Sequence, residues 1–296
     1  MRHRCLSRFA GVPMPLSLLV VSSETPDQQA ARRKRSGLAS HETYAGTLRQ
    51  MLGEVEIAQA SCVDGAADPP RDLARFDGVI FAGSPIQMHE DRPEVRQAAR
   101  FMAAVFESGS PAFGSCAGLQ IAAVAAGGTV RPRAAPMNAC FSRNIVATEA
   151  GRGHPMLGGR PGAWDAPTMH SAIVDRLPAG GRTLARSRDV PVEAAEIRSG
   201  AGVFWGVQYH PELALTEIAD ALRAQTAALI RQDLARDDSA VDRYAADLET
   251  LEETPARRDL AWQLGLDDEV VDLRHRRREI ANFLRFLGAP AGPGAD

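Results

Sequence analysis

Pro111-Ala-Phe-Gly-Ser115 runs directly into Cys116-Ala-Gly-Leu-Gln120, and the reading of the fold turns on this junction. The first half is short, apolar strand material. The second half opens an Ala-rich stretch, Ala117–Ala126, with helical spacing, closed by Gly127-Gly128. Across the joint, Gly114-Ser-Cys-Ala-Gly118 fits G-x-C-x-G, the cysteine form of the nucleophile elbow. The spacing has a steric cause. A nucleophile on a tight strand-to-helix turn needs small residues two positions to either side, so that strand and helix can approach. The turn sets the thiol at the amino end of a helix, where the dipole and free amides favour a thiolate. Taken alone, the pentapeptide is equally compatible with a buried structural cysteine beside helix-packing glycines.

Working outward, the chain up to about residue 213 alternates strands and helices. Leu16–Ser22 is a continuous apolar run of the kind buried on both faces of a sheet. Residues 23–37 are polar and basic and read as a mobile loop. His41–Leu52 and Glu94–Phe106 have helical spacing, while Val55–Ala60 and Asp77–Ala82 are strand candidates, the latter running into Gly83-Ser84-Pro85. Residues 140–210 are richer in strand signals, at Asn144–Thr148, Val192–Ile197 and Val203–Val207. After Pro211 the pattern turns helical, over Leu215–Leu234, Ser239–Leu251, Pro255–Leu264 and Glu269–Phe286. This order predicts an α/β fold: a doubly wound, mostly parallel sheet with helices on both faces, followed by a C-terminal helical extension. Functional residues are then expected at the carboxyl ends of strands. The boundaries expected are a flexible tail over 1–14, a main domain over 15–213, the helical extension over 214–287 and a disordered tail over 288–296.

A thiolate nucleophile needs a base and an orienting group. Trp205-Gly-Val-Gln-Tyr-His210-Pro-Glu212 supplies both: a strand over Val203–Tyr209 that ends in a histidine, and a carboxylate two positions on, with Pro211 fixing the backbone between them. Glu212 can then turn back to hold one imidazole nitrogen while the other faces the thiol.

Together, G-S-C-A-G-L-Q and G-V-Q-Y-H-P-E resemble the class I (triad) glutamine amidotransferase family, in particular the glutaminase domain of GMP synthase and its free-standing relatives. The resemblance covers roughly residues 16–213 and implies a flavodoxin-like sheet. It implies that Cys116 attacks the glutamine carboxamide to give a γ-glutamyl thioester. His210 would take the thiol proton and pass it to the departing ammonia, and Glu212 would orient His210. The backbone amides of Gly83 and Ala117 would form the oxyanion hole. Ser84 stands where many members have a second glycine. Gln120 matches a glutamine that contacts substrate. Met169-His170-Ser171-Ala172 partly matches the family's His-Gly-Asp segment, whose backbone recognises the α-amino and α-carboxylate groups. Here Ser171 replaces the glycine and Ala172 the acid. His154-Pro155 and Trp164-Asp165 also look like family landmarks and read as structural.

Composition narrows the rest. Net charge is −3 in 296 residues, and Lys34 is the only lysine, within Arg33-Lys34-Arg35. The charge argues against a nucleic-acid binder, and without a suitably placed lysine there is neither a Walker A loop nor a Schiff base. No metal and no cofactor is expected: Cys5, Cys62, Cys116 and Cys140 form no C-x-x-C pair, and Met88-His-Glu-Asp91 reads as a solvated loop near the pocket mouth. Scattered cysteines suit a reducing cytoplasm, and no apolar run reaches the ~20 residues that span a bilayer. Arg2, Arg4 and Arg8 precede an apolar run too short, and too interrupted by Pro13 and Pro15, for a secretory signal. Arg274, Arg276, Arg277 and Arg278 read as a solvated helix face, or otherwise as a docking surface. The partners expected are glutamine and a separate synthase receiving ammonia, with a homo-oligomer left open. Two other functions share these residues: a γ-glutamyl peptidase using the same triad, and a non-catalytic assembly module of the same fold.

Overall fold

The computed structural model describes residues 15–64, 69–134 and 136–288. The tail expected over 1–14, and all of the 288–296 tail beyond Gly288, lie outside them. In chain order the elements are β1 (Leu16–Ser22), α1 (Pro26–Ser36), α2 (Ser40–Leu52), β2 (Val55–Ser61), β3 (Gly78–Phe81), α3 (Pro93–Ser108), β4 (Ala112–Ser115), α4 (Ala117–Ala125), β5 (Thr129–Pro132) and β6 (Asn138–Ala147). There follow α5 (Glu149–Arg152), β7 (Trp164–His170), β8 (Ala172–Arg176), β9 (Gly181–Arg186), β10 (Ala194–Ser199) and β11 (Gly202–Val207). The helices α6 (Leu215–Ala224), α7 (Thr226–Arg231), α8 (Asp238–Glu253), α9 (Arg258–Leu264), α10 (Asp268–Val271), α11 (Leu273–Arg276) and α12 (Arg278–Phe286) complete the chain.

Nine strands form one sheet in the order β2-β1-β3-β4-β11-β10-β9-β6-β7, and β5 pairs with β8 in a small second sheet. The pairings β1–β2, β1–β3, β3–β4 and β4–β11 are parallel, and those from β11 out to β7 are antiparallel. The parallel half is therefore the doubly wound unit expected; β3 and β4 are buried throughout and most of β1 and β11 with them, while the edge strand β2 is only half-buried. One face packs against α3 and α4 through Phe81, Phe101, Leu119 and Phe204. The other packs against α2 and α12 through Tyr44, Leu48, Phe113, Trp205 and Phe283. No helix among the described residues is long and apolar enough to cross a membrane.

Several expectations change. The loop expected over 23–37 contains α1. None of its residues is buried, so local capping makes the helix: Thr25 and Gln28 form a capping box, Pro26 opens the first turn, and Gly37 closes it in the left-handed region at φ 81°. Leu215–Leu234 is broken at Gln225 into α6 and α7, where Thr226 Oγ1 bonds back to Leu222 and Arg223 carbonyls. Glu269–Phe286 is three short helices, because Asp272 takes an extended conformation and caps Arg274. The strand leading to His210 stops at Val207, short of Tyr209.

The basic run is only in part a solvated face, for Arg274 is exposed as expected. Arg276 and Arg277 are buried. Arg276 donates to the Leu213 carbonyl at 3.1 Å and to Glu252 at 3.0 Å, and Arg277 to Gln50 at 2.9 Å. The C-terminal helices build their own core, with Leu215, Ile218, Leu248, Leu251 and Val270. α12 then returns to the main sheet, where the Phe283 ring lies 5.5 Å from Phe113 and the Phe286 ring 4.6 Å from Trp205. Arg160, joined to Glu279 through two bonds of 2.6 and 2.7 Å, locks this helix down.

Candidate active site

β4 and β11 are neighbours in register, so the residues following them meet. Ser115 pairs with Val207, and the Cys116 amide donates to the Val207 carbonyl at 2.7 Å. Cys116 itself sits at φ 50°, ψ −101°, a strained backbone for a residue with a β-carbon. The elbow is held by close packing. A β-carbon on Gly118 would lie 2.9 Å from the Phe81 carbonyl oxygen, and one on Gly114 would lie 3.0 Å from the Gly118 α-carbon. Neither position accepts a side chain while strand and helix stay in contact.

After β11 the chain bends toward β7, and the His210 amide donates to the Pro167 carbonyl at 2.7 Å. The side chains of Cys116, His210 and Glu212 are brought together, all three buried. His210 Nδ1 lies 2.7 Å from Glu212 Oε1, and Cys116 is near enough to add to the upward pull on the imidazole pKa. Burial, the largest single influence, pushes the imidazole pKa down. The Glu212 charge, the bond to Glu212 and the nearby Cys116 together outweigh it, so His210 is held well above its usual range. The other carboxylate oxygen, Glu212 Oε2, accepts from Ser115 Oγ at 2.8 Å, and Ser115 Oγ lies 3.1 Å from the Tyr44 hydroxyl.

Gly83 and Ala117 flank this group. A β-carbon on Gly83 would meet His210 Cε1 at 2.5 Å, so the turn after β3 lies against the ring. Ala117 opens α4, and the amide at that position has no preceding helical turn to bond. Ser84 is tied into the loop: its Oγ accepts from Ser23 Oγ at 2.8 Å and from the Ile86 amide at 3.3 Å.

A cleft of about 390 Å³ opens over the thiol, and Gln120, His170, Ser171 and Ala172 line it with Cys116, Gly83 and His210. Gln120 Nε2 donates to the Ala172 carbonyl at 3.0 Å and to Gln208 Oε1 at 3.2 Å, so its donors brace the 170–172 turn. His170 Nδ1 donates to the Ala172 carbonyl at 3.1 Å. Burial first, then Arg133 and His210, depress the His170 pKa to about 3, and its ring stays neutral. The outer wall of the cleft comes from α1 and α6, including Arg32, Arg35, Glu217 and Asp220. His154 and Trp164 stand apart from the cleft: His154 bonds Glu196 at 3.2 Å and Trp164 fills the core.

Four participants have no role assigned by the sequence motifs, although Ser115 and Gln208 lie inside them. Ser115 enters them only as the variable position of the elbow. Gln208 Nε2 lies 3.5 Å from Cys116 Sγ, Thr47 Oγ1 donates to the Glu212 carbonyl at 3.3 Å, and Tyr44 completes the group. The one usable signal is strand alternation: Ser115 shares its face of β4 with Phe113, the face covered by α2.

Residues 41–227 match the model of the family described as glutamine amidotransferase class-I. The chain is 34% identical over 218 residues, 73% of its own length and 74% of the relative's, to a gamma-glutamyl-L-1-hydroxyisopropylamide hydrolase of a Pseudomonas species. It is 30% identical to a glutamine-hydrolyzing GMP synthase subunit of Ignicoccus hospitalis, over 50% of this chain and 73% of that one. To the GMP synthase of Thermomicrobium roseum it is 33% identical, over 49% of this chain and only 25% of that protein. Among solved structures, a glutamine amidotransferase from Thermotoga maritima superposes with a TM-score of 0.62 at 13% identity, covering 93% of this chain and 99% of that one. One from Methylobacillus flagellatus gives 0.56 at 15% identity, over 90% and 94%. At these identities the two structures show the shared fold, C-terminal helices included.

Proposed function

The chain belongs to the class I glutamine amidotransferase family, and from that premise we propose that it hydrolyses the side-chain amide of glutamine through a thioester on Cys116. The observation that carries this reading is the meeting of thiol, imidazole and carboxylate at the ends of two adjacent strands, with His210 bonded to Glu212 and all three side chains buried together.

In this mechanism Cys116 Sγ attacks the γ-carbonyl carbon and its proton passes to His210. The carbonyl oxygen takes up the negative charge facing the amides of Gly83 and Ala117. Collapse breaks the C–N bond as His210 returns the proton to nitrogen, and ammonia leaves. Water, deprotonated by His210, then attacks the thioester to release glutamate and the thiol. Glu212 keeps the imidazole in the tautomer and orientation both steps need. Gln120, His170, Ser171 and Ala172 form the wall that receives the glutamyl end, with His170 and Gln120 acting by fixing the turn. The ammonia acceptor is a partner synthase in this reading, as the likeness to a separate GMP synthase subunit suggests.

A second reading is favoured by one observation. The Pseudomonas relative, aligned over most of both chains, is named for an N-substituted γ-glutamyl amide. On this reading the amine that leaves is larger than ammonia and departs through the cleft toward α1 and α6.

The test measures glutamate release from glutamine and from γ-glutamyl isopropylamide by the purified chain. Release that Cys116→Ala lowers by about 10³-fold or more supports the mechanism. A kcat/KM at least about tenfold higher for the isopropylamide selects the second reading. Turnover that survives in Cys116→Ala sinks both.

A further inference from the structure

The triad continues beyond its carboxylate into the fold. Glu212 is held through both oxygens: Oε1 by His210 at 2.7 Å and Oε2 by Ser115 Oγ at 2.8 Å. Ser115 is fully buried on β4, immediately before the nucleophile. Its hydroxyl has one proton, and a carboxylate can only accept. That proton therefore belongs to the bond to Glu212, and the 3.1 Å contact between Ser115 Oγ and the Tyr44 hydroxyl must be donated by tyrosine. Tyr44 is fully buried on α2 and keeps its proton, since burial and then the Glu212 charge hold its pKa well above the usual value. Every donor in the row points the same way: Tyr44 to Ser115, Ser115 to Glu212.

α2 grips the same residue a second time, because Thr47, one turn after Tyr44, donates to the Glu212 carbonyl at 3.3 Å. The backbone of Glu212 and its far carboxylate oxygen are thus both positioned from one helix. A free carboxylate two residues from its histidine could rotate about its side-chain bonds. Ser115 removes that freedom and leaves only the oxygen facing Nδ1 to act on the ring.

We infer that Ser115 and Tyr44 are positioning residues for the reaction, forming a polarised hydrogen-bond relay that fixes Glu212 and, through it, the orientation of His210. This rests on the triad reading above and extends it from three residues to five. Tyr44 acts only through the Ser115 hydroxyl, so the two are coupled: once that hydroxyl is gone, the tyrosine proton has no route to Glu212.

The coupling gives the test. Ser115→Ala should lower kcat for glutamate release about tenfold, the usual scale of a hydrogen bond to a charged group, with KM within about twofold. Tyr44→Phe, which keeps the ring and its packing, should lower kcat about threefold as the more remote donor. The double variant should be no slower than Ser115→Ala alone. A merely structural role predicts the opposite: losses that multiply, and a melting temperature that falls with activity.

A second readout does not depend on any substrate. The Nδ1 proton of His210 in its 2.7 Å bond to Glu212 should give a low-field proton resonance in the free protein. Ser115→Ala and Tyr44→Phe should each shift it, and Tyr44→Phe should leave it unmoved in the Ser115→Ala background. If no γ-glutamyl amide is turned over, the proposed activity fails and this resonance alone decides the relay. Unchanged kcat in Ser115→Ala, an unmoved resonance, or full additivity of the two substitutions would each overturn it.

Discussion

The floor of the cleft and its outer wall are built in opposite ways. On the floor, Cys116, Ser115, His210 and Glu212 are buried, and the polar atoms of the last three are bonded to one another at 2.7–2.8 Å. Backbone and ring meet there without room for one more carbon. The α1 side of the wall is held by charge, whereas α6 is seated in the core of the C-terminal helices. α1 buries none of its residues and reaches α6 through one ion pair, Arg32 to Glu217 at 3.3 Å, with both side chains about a fifth exposed. Close packing fixes geometry to fractions of an ångström, whereas a solvated ion pair contributes ~1 kcal/mol or less and weakens with salt. The floor is therefore the part that holds a reaction constant, and the wall the part that can change what enters.

The sharpest way to break this contrast is at the carboxylate. Glu212→Gln keeps the shape but withdraws the charge that orients and raises His210, and kcat should fall by roughly 10³-fold. The pH profile adds a sign. A pKa raised above 6.5 means the imidazolium persists to higher pH, and as the base of the first step His210 must first lose that proton, so the acid limb of kcat/KM in the native protein should lie above pH 6.5. Without the Glu212 charge, burial dominates and the limb should move to lower pH. A limb that stays in place would show that the carboxylate does not set the ring's proton affinity.

Next in size is Gly83→Ala. Its new carbon would fall 2.5 Å from His210 Cε1, and displacing the ring by that much should cost about 10²-fold in kcat, since ångström misplacements have that effect. Steady-state assays showing less than a twofold loss would mean that the turn after β3 yields rather than the ring. Smallest is Arg32→Ala on the wall. Loss of one exposed ion pair should leave kcat within about twofold and move KM by less than about threefold, with added salt mimicking the change. A tenfold fall in kcat would erase the distinction between floor and wall.

The same contrast explains what could be read from the chain. The elbow is legible because strand, turn, nucleophile and helix are contiguous, and each small residue answers a contact within a few positions of itself. His210 and Glu212 are legible for the same reason. Tyr44 and Thr47 are not, because they reach the site across 71 and 165 positions, and a helix pattern does not say which strand it will cover. The strand β7 is hidden by Pro167. Proline is tolerated there because β7 is the last strand of its sheet, and its carbonyl still serves the His210 amide. α1 is hidden because capping alone creates it, with no apolar stripe to signal it. The basic run at 274–278 misleads because charge suggests solvent, whereas Arg276 and Arg277 enter the interior with carbonyl and carboxylate partners.

The seating of α12 has a consequence for how the protein comes into being. Phe113 lies on the strand that ends at Cys116 and Trp205 on the strand that leads to His210, and both are covered by aromatic rings from the last helix described. Translation delivers that helix after every other part of the site has left the ribosome. A nascent or prematurely ended chain lacking α12 would present Cys116 and its neighbours on a sheet with one side uncovered, so on the proposed reading the site is complete only once that helix has docked.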